Sequence, residues 1–208
     1  MRATHTIESV FGTRSRTRVL AVLHGVETPL NAAQVARQAG LSQPGAAAAL
    51  RELEGLGFVQ GSHAGWATVY WLVRENIYVR RIVAPAFVAL ESLGDELLAD
   101  LRHAFSECCV SVVLFGSYAR DEQRADSDID ILLVAADRAT KVVVDETADL
   151  EMLRMRGVWG ATLAPLVYDL GEAADLHARA PGLFADIERD GIVVSGMPPG
   201  EWRKHAAD

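Results

Sequence analysis

The sequence predicts an α+β protein with two domains. The N-terminal domain has three helices and a β-hairpin, and the C-terminal domain has a mixed sheet. Helix caps, apolar spacing and turn residues follow one another through residues 14–73. Further on, two apolar strands, residues 110–115 and 129–134, flank a polar loop. The chain has 208 residues, 50% hydrophobic and 23% charged. This composition is that of a globular protein, long enough for two small domains.

The formal charge changes sign along the chain. Residues 1–81 hold nine arginines, no lysine and five glutamates, which is a charge of +4. Residues 82–208 hold eleven basic and twenty-three acidic residues, which is a charge of −12 and brings the total to −8. The positively charged N-terminal domain is therefore suited to contact phosphate backbones. The negatively charged C-terminal domain would need bridging metal ions to do so. Surface charge that drifts between domains without a function is the alternative.

Apolar runs and cysteines limit the class of protein. No apolar run reaches the roughly 18 residues that span a bilayer, so we expect no membrane protein. The only two cysteines are the adjacent Cys108 and Cys109. Neighbouring cysteines rarely close a disulfide, so we expect a protein of the reducing cytoplasm. Two cysteines are also too few for a structural zinc site.

Apolar spacing and capping residues predict three helices in the N-terminal domain. Apolar spacing predicts a helix over residues 14–24. Asn31 is the expected N-cap of a second helix, which Gly40 ends. Ser42 caps a third helix, in which Pro44 occupies the first turn. The third helix is predicted to bury three leucines, Leu50, Leu53 and Leu56.

Two short strands follow the third helix. Residues 58–60 and 68–73 are rich in aromatic and β-branched residues, and residues 61–65 form the predicted hairpin loop. Two helices joined by Gly-Leu-Ser at 40–42, then a hairpin, are a winged helix-turn-helix pattern. Residues 10–74 resemble the winged-helix domains of bacterial transcription regulators. The resemblance implies binding to double-stranded DNA, although winged helices also serve as protein-contact modules.

The third helix offers few side chains that read bases. Its exposed positions are expected near Gln43, Ala46, Ala47 and Arg51, of which Gln43 and Arg51 have the chemistry to contact base edges. The alanine run at 46–49 favours packing on another surface instead. Four further side chains are predicted to contact phosphates: Arg14, Arg16, Arg18 and His63.

A long helical pattern joins the two domains over residues 82–105, with Pro85 either starting or breaking it. Its apolar positions recur every three or four residues: Leu90, Leu93, Leu97, Leu101 and Phe105. We expect a connector that packs on the second domain or on a second copy of the chain. The latter would be a homodimer through the connecting helix.

The loop between the two apolar strands carries the candidate chemistry. Gly116 and Ser117 follow the first strand, and Asp128 and Asp130 open the second. Residues two apart in a strand point to the same side, so the two aspartates form a clamp for a divalent metal. Gly116 lets the backbone approach a phosphate, and the Ser117 hydroxyl can donate to phosphate oxygens. Arg120 could neutralise a triphosphate.

The segment GSYARDEQRADSDIDILLV resembles the DNA polymerase β-like nucleotidyltransferase superfamily, and its minimal bacterial and archaeal members in particular. Ser117 is followed by ten residues and then Asp128-Ile129-Asp130. The resemblance implies transfer of a nucleoside monophosphate from an NTP to a hydroxyl. Asp128 and Asp130 would be catalytic and hold Mg²⁺ or Mn²⁺, while Gly116, Ser117 and Arg120 would bind the nucleotide. Some relatives have toxin–antitoxin or resistance roles, but nothing in the sequence selects them.

The third carboxylate of that superfamily has no counterpart at the expected place. The resemblance puts it on a later strand, residues 161–168, near the uncharged Pro165; Asp169 lies at the end of that strand. The alternative function is therefore a transcription regulator whose nucleotidyltransferase fold senses nucleotides. The predicted organisation is a winged helix-turn-helix domain (1–81), a connecting helix (82–108), a minimal nucleotidyltransferase domain (109–196) and a frayed tail (197–208).

Overall fold

The computed structural model describes residues 11–124 and 126–206. The chain divides into two compact units, which meet in sequence between Leu93 and Gly94. The predicted connecting segment 82–108 is therefore shared by the two units. Within the described ranges, no helix has the length and apolar character needed to cross a membrane.

Three helices form the first part of the N-terminal unit, and each begins at a side-chain cap. They are α1 (Arg14–His24), α2 (Ala32–Gln38) and α3 (Gln43–Gly55). At α2 the Asn31 side chain accepts the N–H of Gln34, and the Gln34 side chain accepts the N–H of Asn31. At α3 the Ser42 hydroxyl accepts the N–H of Gly45. The sequence predicted the last two caps because they depend on residues only three positions apart.

A three-stranded antiparallel sheet completes this unit. It comprises β1 (Leu30–Asn31), β2 (Val59–Ala64) and β3 (Ala67–Leu72), in the order β1-β3-β2. The predicted loop at 61–65 is wrong, because Ser62 and His63 pair with Val69 and Thr68 and extend the hairpin to a turn at residues 65–66. Helices α1–α3 followed by this wing make a winged helix-turn-helix fold.

Apolar faces of the three helices form the core of the N-terminal unit. Its fully buried side chains include Val19, Leu20, Leu50 and Leu53. Two predictions for α3 are wrong. Ala46 is completely buried, because it lies one turn before Leu50 on the same face, and Leu56 is exposed, because the helix has ended at that residue.

A π-helical turn, Val79–Val83, leads into α4 (Ala84–Phe105), so that Pro85 lies in the first turn of α4. Phe87 belongs to the core of the N-terminal unit. Leu97, Leu101 and Phe105 belong to the core of the C-terminal unit. The predicted apolar stripe is not continuous, since Leu90 and Leu93 are 60% and 41% exposed.

A four-stranded mixed sheet forms the centre of the C-terminal unit. Its strands are β4 (Ser111–Leu114), β5 (Ile129–Ala135), β6 (Leu163–Asp169) and β7 (Ile192–Gly196), in the order β6-β5-β4-β7. Strand β5 runs parallel to β6, whereas β4 is antiparallel to both β5 and β7. The predicted α+β class with a mixed sheet is confirmed.

Helices cover both faces of this sheet. They are α5 (Gly116–Ala119), α6 (Arg138–Trp159), α7 (Leu170–Ala174), α8 (Leu176–Arg179), α9 (Pro181–Asp190) and α10 (Trp202–His205). Ile131 and Leu133 of β5 pack with α4 and α6 on one face. Leu132 and Val134 pack with α7 to α10 on the other. The two faces follow from the period of two along a buried strand.

The described part of the C-terminal tail is ordered by packing, contrary to the predicted fraying. Trp202 is completely buried, and its ring meets that of Phe184 edge-on at 6.3 Å between centroids. A tryptophan within a polar tail is the sequence signal for such docking. Residues 207–208, which the same prediction included, lie outside the described residues.

Candidate functional site

The register of β4 and β5 brings the Gly-Ser turn beside the Asp-x-Asp segment. Leu114, the last residue of β4, pairs with Ile131 near the start of β5. The N–H of Phe115 then donates to the carbonyl of Asp130 at 3.0 Å. Gly116, the next residue, therefore lies against Asp130. The antiparallel hairpin thus joins two motifs that are separated by a polar loop in the sequence.

Gly116 is required by a close approach as well as by its backbone angle. Its φ is +72°, in the left-handed region that residues with a Cβ rarely adopt. A Cβ built on it would overlap the carboxylate of Asp130 and lie 2.9 Å from Asp130 Cγ. The sequence predicted this glycine for phosphate approach, and the structure adds the packing of the Asp130 side chain on the turn.

Asp128 and Asp130 influence each other electrostatically. Burial raises the pKa of the half-buried Asp130 carboxyl, the negative charge of Asp128 raises it further, and Arg120 opposes both. Asp128 is exposed and immediately precedes β5. Two neighbouring carboxylates supply the oxygen ligands that Mg²⁺ prefers in proteins. These side chains therefore fit a divalent cation.

Arg120 lies at the same site but is shared between acidic side chains. Its Nε donates to Glu122 Oε2 at 3.0 Å, and its Nη1 is 3.9 Å from Asp190 Oδ2. Ser117 precedes it in α5, and the Ser117 carbonyl accepts the N–H of Glu122 at 2.9 Å. The sequence did not single out Asp190, since no local signal links the end of α9 to this turn.

The register of β6 corrects the predicted position of the third carboxylate. Asp130 pairs with Ala164, whereas Pro165 pairs with Ile131. Paired residues of parallel neighbours share a face, so Ala164 and Leu166 lie on the face of Asp130, and Pro165 lies on the opposite one. The position expected for the third carboxylate, near Pro165, is therefore off by one residue, because Ala164 is the residue that lies beside Asp130.

Asp169 does not join the two aspartates. It pairs with Ala135 at the other end of β5 from Asp130. Its carboxylate accepts the N–H of Glu172 at 2.8 Å and caps α7. In the part of the chain that the structure describes, no group of three or more His, Cys, Asp or Glu side chains is placed to hold a metal ion.

Some of the side chains predicted to contact DNA are exposed, whereas others form hydrogen bonds within the N-terminal unit. Gln43 and Arg51 are exposed on α3, Arg14 is exposed at the start of α1, and His63 is exposed on the wing. Thr68 Oγ1 lies 3.3 Å from His63 Nδ1. The sequence missed Trp66, which is fully exposed at the tip of the hairpin. Its position between Gly65 and Ala67 was the available signal.

Arg16 and Arg18 contribute to the structure of the N-terminal unit. Arg18 Nη1 donates to the carbonyls of Ala39 and Gly40, at 3.2 and 3.1 Å, beyond the end of α2. Arg16 Nε donates to Glu52 Oε2 at 2.6 Å. Both predicted phosphate contacts would compete with these bonds.

The comparison with protein families agrees with the geometry of the C-terminal unit. Residues 95–190 match the family model described as nucleotidyltransferase domain. The match covers 96 of the 208 residues of the chain. The matched residues of the nucleotidyltransferase domain include the Gly-Ser turn, both aspartates and strand β6.

Solved structures with partial similarity include regulators and a toxin–antitoxin complex. A predicted DNA-binding transcriptional regulator from E. coli is 17% identical, with TM-score 0.36, covering 44% of this chain and 88% of its own. A homodimeric winged helix-turn-helix DNA-binding domain from Mycobacterium bovis is 21% identical, with TM-score 0.35, covering 48% and 82%. A toxin–antitoxin with AMP-PNP is 20% identical, with TM-score 0.33, covering 55% and 81%. No curated protein matches the chain.

Proposed function

We propose that the nucleotidyltransferase domain binds a metal-bound NTP and transfers its nucleoside monophosphate to a hydroxyl acceptor. The observation that carries the proposal is the packing of Asp130 against Gly116. This contact gathers the Gly-Ser turn and two carboxylates at one end of the sheet. The groups that would donate hydrogen bonds to phosphate and the groups that would bind the metal then lie within one site, as phosphoryl chemistry requires.

Each side chain has a distinct role in this proposal. Asp128 and Asp130 offer carboxylate oxygens to a divalent cation, Mg²⁺ or Mn²⁺. Such a cation, when bound, would neutralise charge on the phosphate oxygens and on the pyrophosphate leaving group. Gly116 and the Ser117 hydroxyl approach the phosphates. Arg120 adds positive charge once its contacts with Glu122 and Asp190 are exchanged for phosphate oxygens.

Activation of the acceptor hydroxyl is the weak step. In-line attack needs the hydroxyl deprotonated and positioned, and loss of a general base costs about 10² to 10⁴ in rate. The residue beside Asp130 on β6 is Ala164, which cannot accept a proton. We therefore expect transfer that is slow or depends on a substrate or partner to supply the base.

A nucleotide-sensing regulator is the second candidate. The specific observation in its favour is that Ala164 and Leu166, which share the face of Asp130, are both apolar. The same chain carries a winged helix-turn-helix unit. In this alternative, NTP binds at the same turn and aspartates and changes DNA binding without being consumed.

One experiment separates the two functions. The full chain is incubated with labelled NTPs and Mg²⁺, and pyrophosphate release and labelled products are measured beside nucleotide binding by calorimetry. Transfer supports the enzyme, and binding without transfer supports the sensor. The double variant Asp128→Asn with Asp130→Asn should lose metal-dependent nucleotide binding. Binding equal to that of the wild type would place the site elsewhere.

The winged helix-turn-helix unit is proposed to bind double-stranded DNA, mostly through phosphates. Its exposed candidates are Gln43 and Arg51 on α3, Arg14 on α1 and His63 on the wing. The proposal is supported by the charge of +4 over residues 1–81. We also propose a cytoplasmic location, in keeping with the free thiols of Cys108 and Cys109.

A further inference from the structure

Helix α6 of the nucleotidyltransferase domain presents an exposed apolar face. Leu150 and Leu153 are 71% and 77% exposed, and Val143 is 52% exposed. The opposite face is fixed by packing, since Val144, Ala148 and Met155 are buried on the sheet. Large contiguous apolar side chains on a surface mark an interaction site.

The exposed face has the spacing of a helix-pairing seam. Its positions alternate by four and three residues: Ala139, Val143, Glu146, Leu150, Leu153 and Gly157. This alternation is the heptad pattern that places side chains along one stripe facing a partner helix. The stripe is not required for packing within the domain, because the buried residues of α6 lie on its other side.

Charges beside the seam select the partner and its direction. Asp149 and Arg156 are exposed and lie seven residues apart along the same edge of the seam. Among the described residues, neither side chain has an ion-pair or hydrogen-bond partner. The first half of the seam also carries Glu146. A parallel copy in register would set Glu146 against Glu146 of the second copy, whereas an antiparallel copy would set Asp149 beside Arg156.

We propose that the protein forms a homodimer in which α6 pairs in an antiparallel manner with α6 of a second copy. Leu150 packs against Leu153 of the second copy, and the reverse contact follows by the two-fold symmetry. The same register places Asp149 beside Arg156 and Glu146 opposite Gly157 of the second copy. Gly157 leaves room for the Glu146 side chain, which explains how an acid is accommodated in an apolar seam.

Sedimentation of the full chain at several concentrations tests the interface. Wild type should reach twice the 22.5 kDa chain mass. Leu150→Gln with Leu153→Gln should weaken dimerisation at least tenfold while the thermal unfolding temperature is kept, because both side chains are largely exposed. The matched control is Leu90→Gln with Leu93→Gln on α4, which should dimerise as wild type does. This control also tests the homodimer through the connecting helix that the sequence predicted.

A charge exchange tests the antiparallel register. Asp149→Arg alone and Arg156→Asp alone should each weaken self-association. An equal mixture of the two single variants should dimerise again, because every cross pair is then between opposite charges. Rescue in the mixture requires two chains and cannot arise within one helix.

Three results would overturn the proposal. The first is a wild-type chain that stays monomeric up to about 100 µM, a range in which the weakest specific interfaces associate. The second is dissociation by the Leu90 and Leu93 substitutions and not by those at Leu150 and Leu153. The third is a mixture of charge variants that stays as monomeric as its components.

Discussion

At the scale of single residues, Gly116 determines whether the candidate site can form. We predict that Gly116→Ala lowers nucleotide affinity at least tenfold and destabilises the fold by about 1–2 kcal/mol or more. The added methyl must sit in the left-handed region and displace the Asp130 carboxylate. Calorimetry and thermal unfolding measure the two effects.

Gly182→Ala is the matched control for that substitution. Gly182 lies in α9 of the same domain, and a Cβ there has no neighbour within 4 Å. Alanine is the better helix former, so stability should be unchanged or slightly higher. Equal loss of nucleotide binding in both variants would mean that the contact between Gly116 and Asp130 is not what forms the site.

The face of β6 decides whether a missing general base can be added. We predict that Ala164→Asp increases nucleotidyl transfer by about 10² or more, because Ala164 is the lateral neighbour of Asp130 on the same face. Pro165→Asp is the control, since it places the same carboxylate on the opposite face. Initial rates of labelled product formation measure the effect, with unfolding temperatures to confirm folding. A similar gain from both variants would contradict the register argument.

The sequence could predict this site only in part. The Gly-Ser turn and the Asp-x-Asp segment were found because they carry their own spacing. The relation of β6 to β5 was not found, because thirty-odd residues of chain separate Asp130 from Ala164 and no local signal sets their alignment. An error of one residue in a strand moves a side chain to the other face, as it did for Pro165.

At the scale of helices, Asp100 ties α4 to α6. Arg154 Nη2 donates to Asp100 Oδ1 at 2.8 Å, and Trp159 Nε1 donates to Asp100 Oδ2 at 2.7 Å. Burial raises the pKa of Asp100, but these two hydrogen bonds and the charge of Arg154 outweigh burial and leave the pKa below its ordinary value of 3.8. The ionised form is therefore favoured by the folded state.

We predict that Asp100→Asn lowers the free energy of unfolding by about 1–2 kcal/mol at neutral pH, as expected for a partly exposed charge-assisted pair. Because folding depresses this pKa, its contribution is complete above the unfolded value of 3.8 and disappears as pH falls through the folded value. The stabilities of wild type and variant, measured by chemical denaturation, should therefore converge as the pH falls below 3.8. Asp95→Asn, an exposed site on the same helix, should show no such difference. A wild-type advantage that persisted at low pH would exclude the ionised pair as its cause.

Elements were predicted well where their signals are local and poorly where partners set their extent. The caps at Asn31 and Ser42 gave the starts of α2 and α3 because each cap acts within one turn. The hairpin was predicted too short, since the pairing of His63 with Thr68 depends on the strand opposite. The docking of Trp202 was missed because the core that it enters is built from five other elements, strands β4 and β5 and helices α7, α8 and α9.

At the scale of the whole molecule, the uneven charge limits how the chain meets DNA. Residues 1–81 carry +4, but the chain as a whole carries −8. Attraction to phosphates is therefore local to the winged helix-turn-helix unit and is opposed by the remainder at long range. At low salt the Debye length is long enough for that opposition to act.

We predict that the full chain binds duplex DNA weakly, with an affinity that falls with salt at a log–log slope of about −0.9 per phosphate contacted. Arg51→Gln should weaken binding more at a preferred site than at random DNA, because Arg51 is exposed on α3. Arg14→Gln should weaken both equally and reduce the salt slope by about one phosphate contact. Arg102→Gln should leave both affinities unchanged. Arg102 lies in the C-terminal unit, where its side chain donates to the carbonyl of Val194. Fluorescence anisotropy with labelled duplexes measures all four chains across a salt series.

Absence of binding even at low salt would leave the winged helix-turn-helix unit as a protein-contact module. Trp66, at the tip of the wing, is fully exposed and would then be a candidate contact.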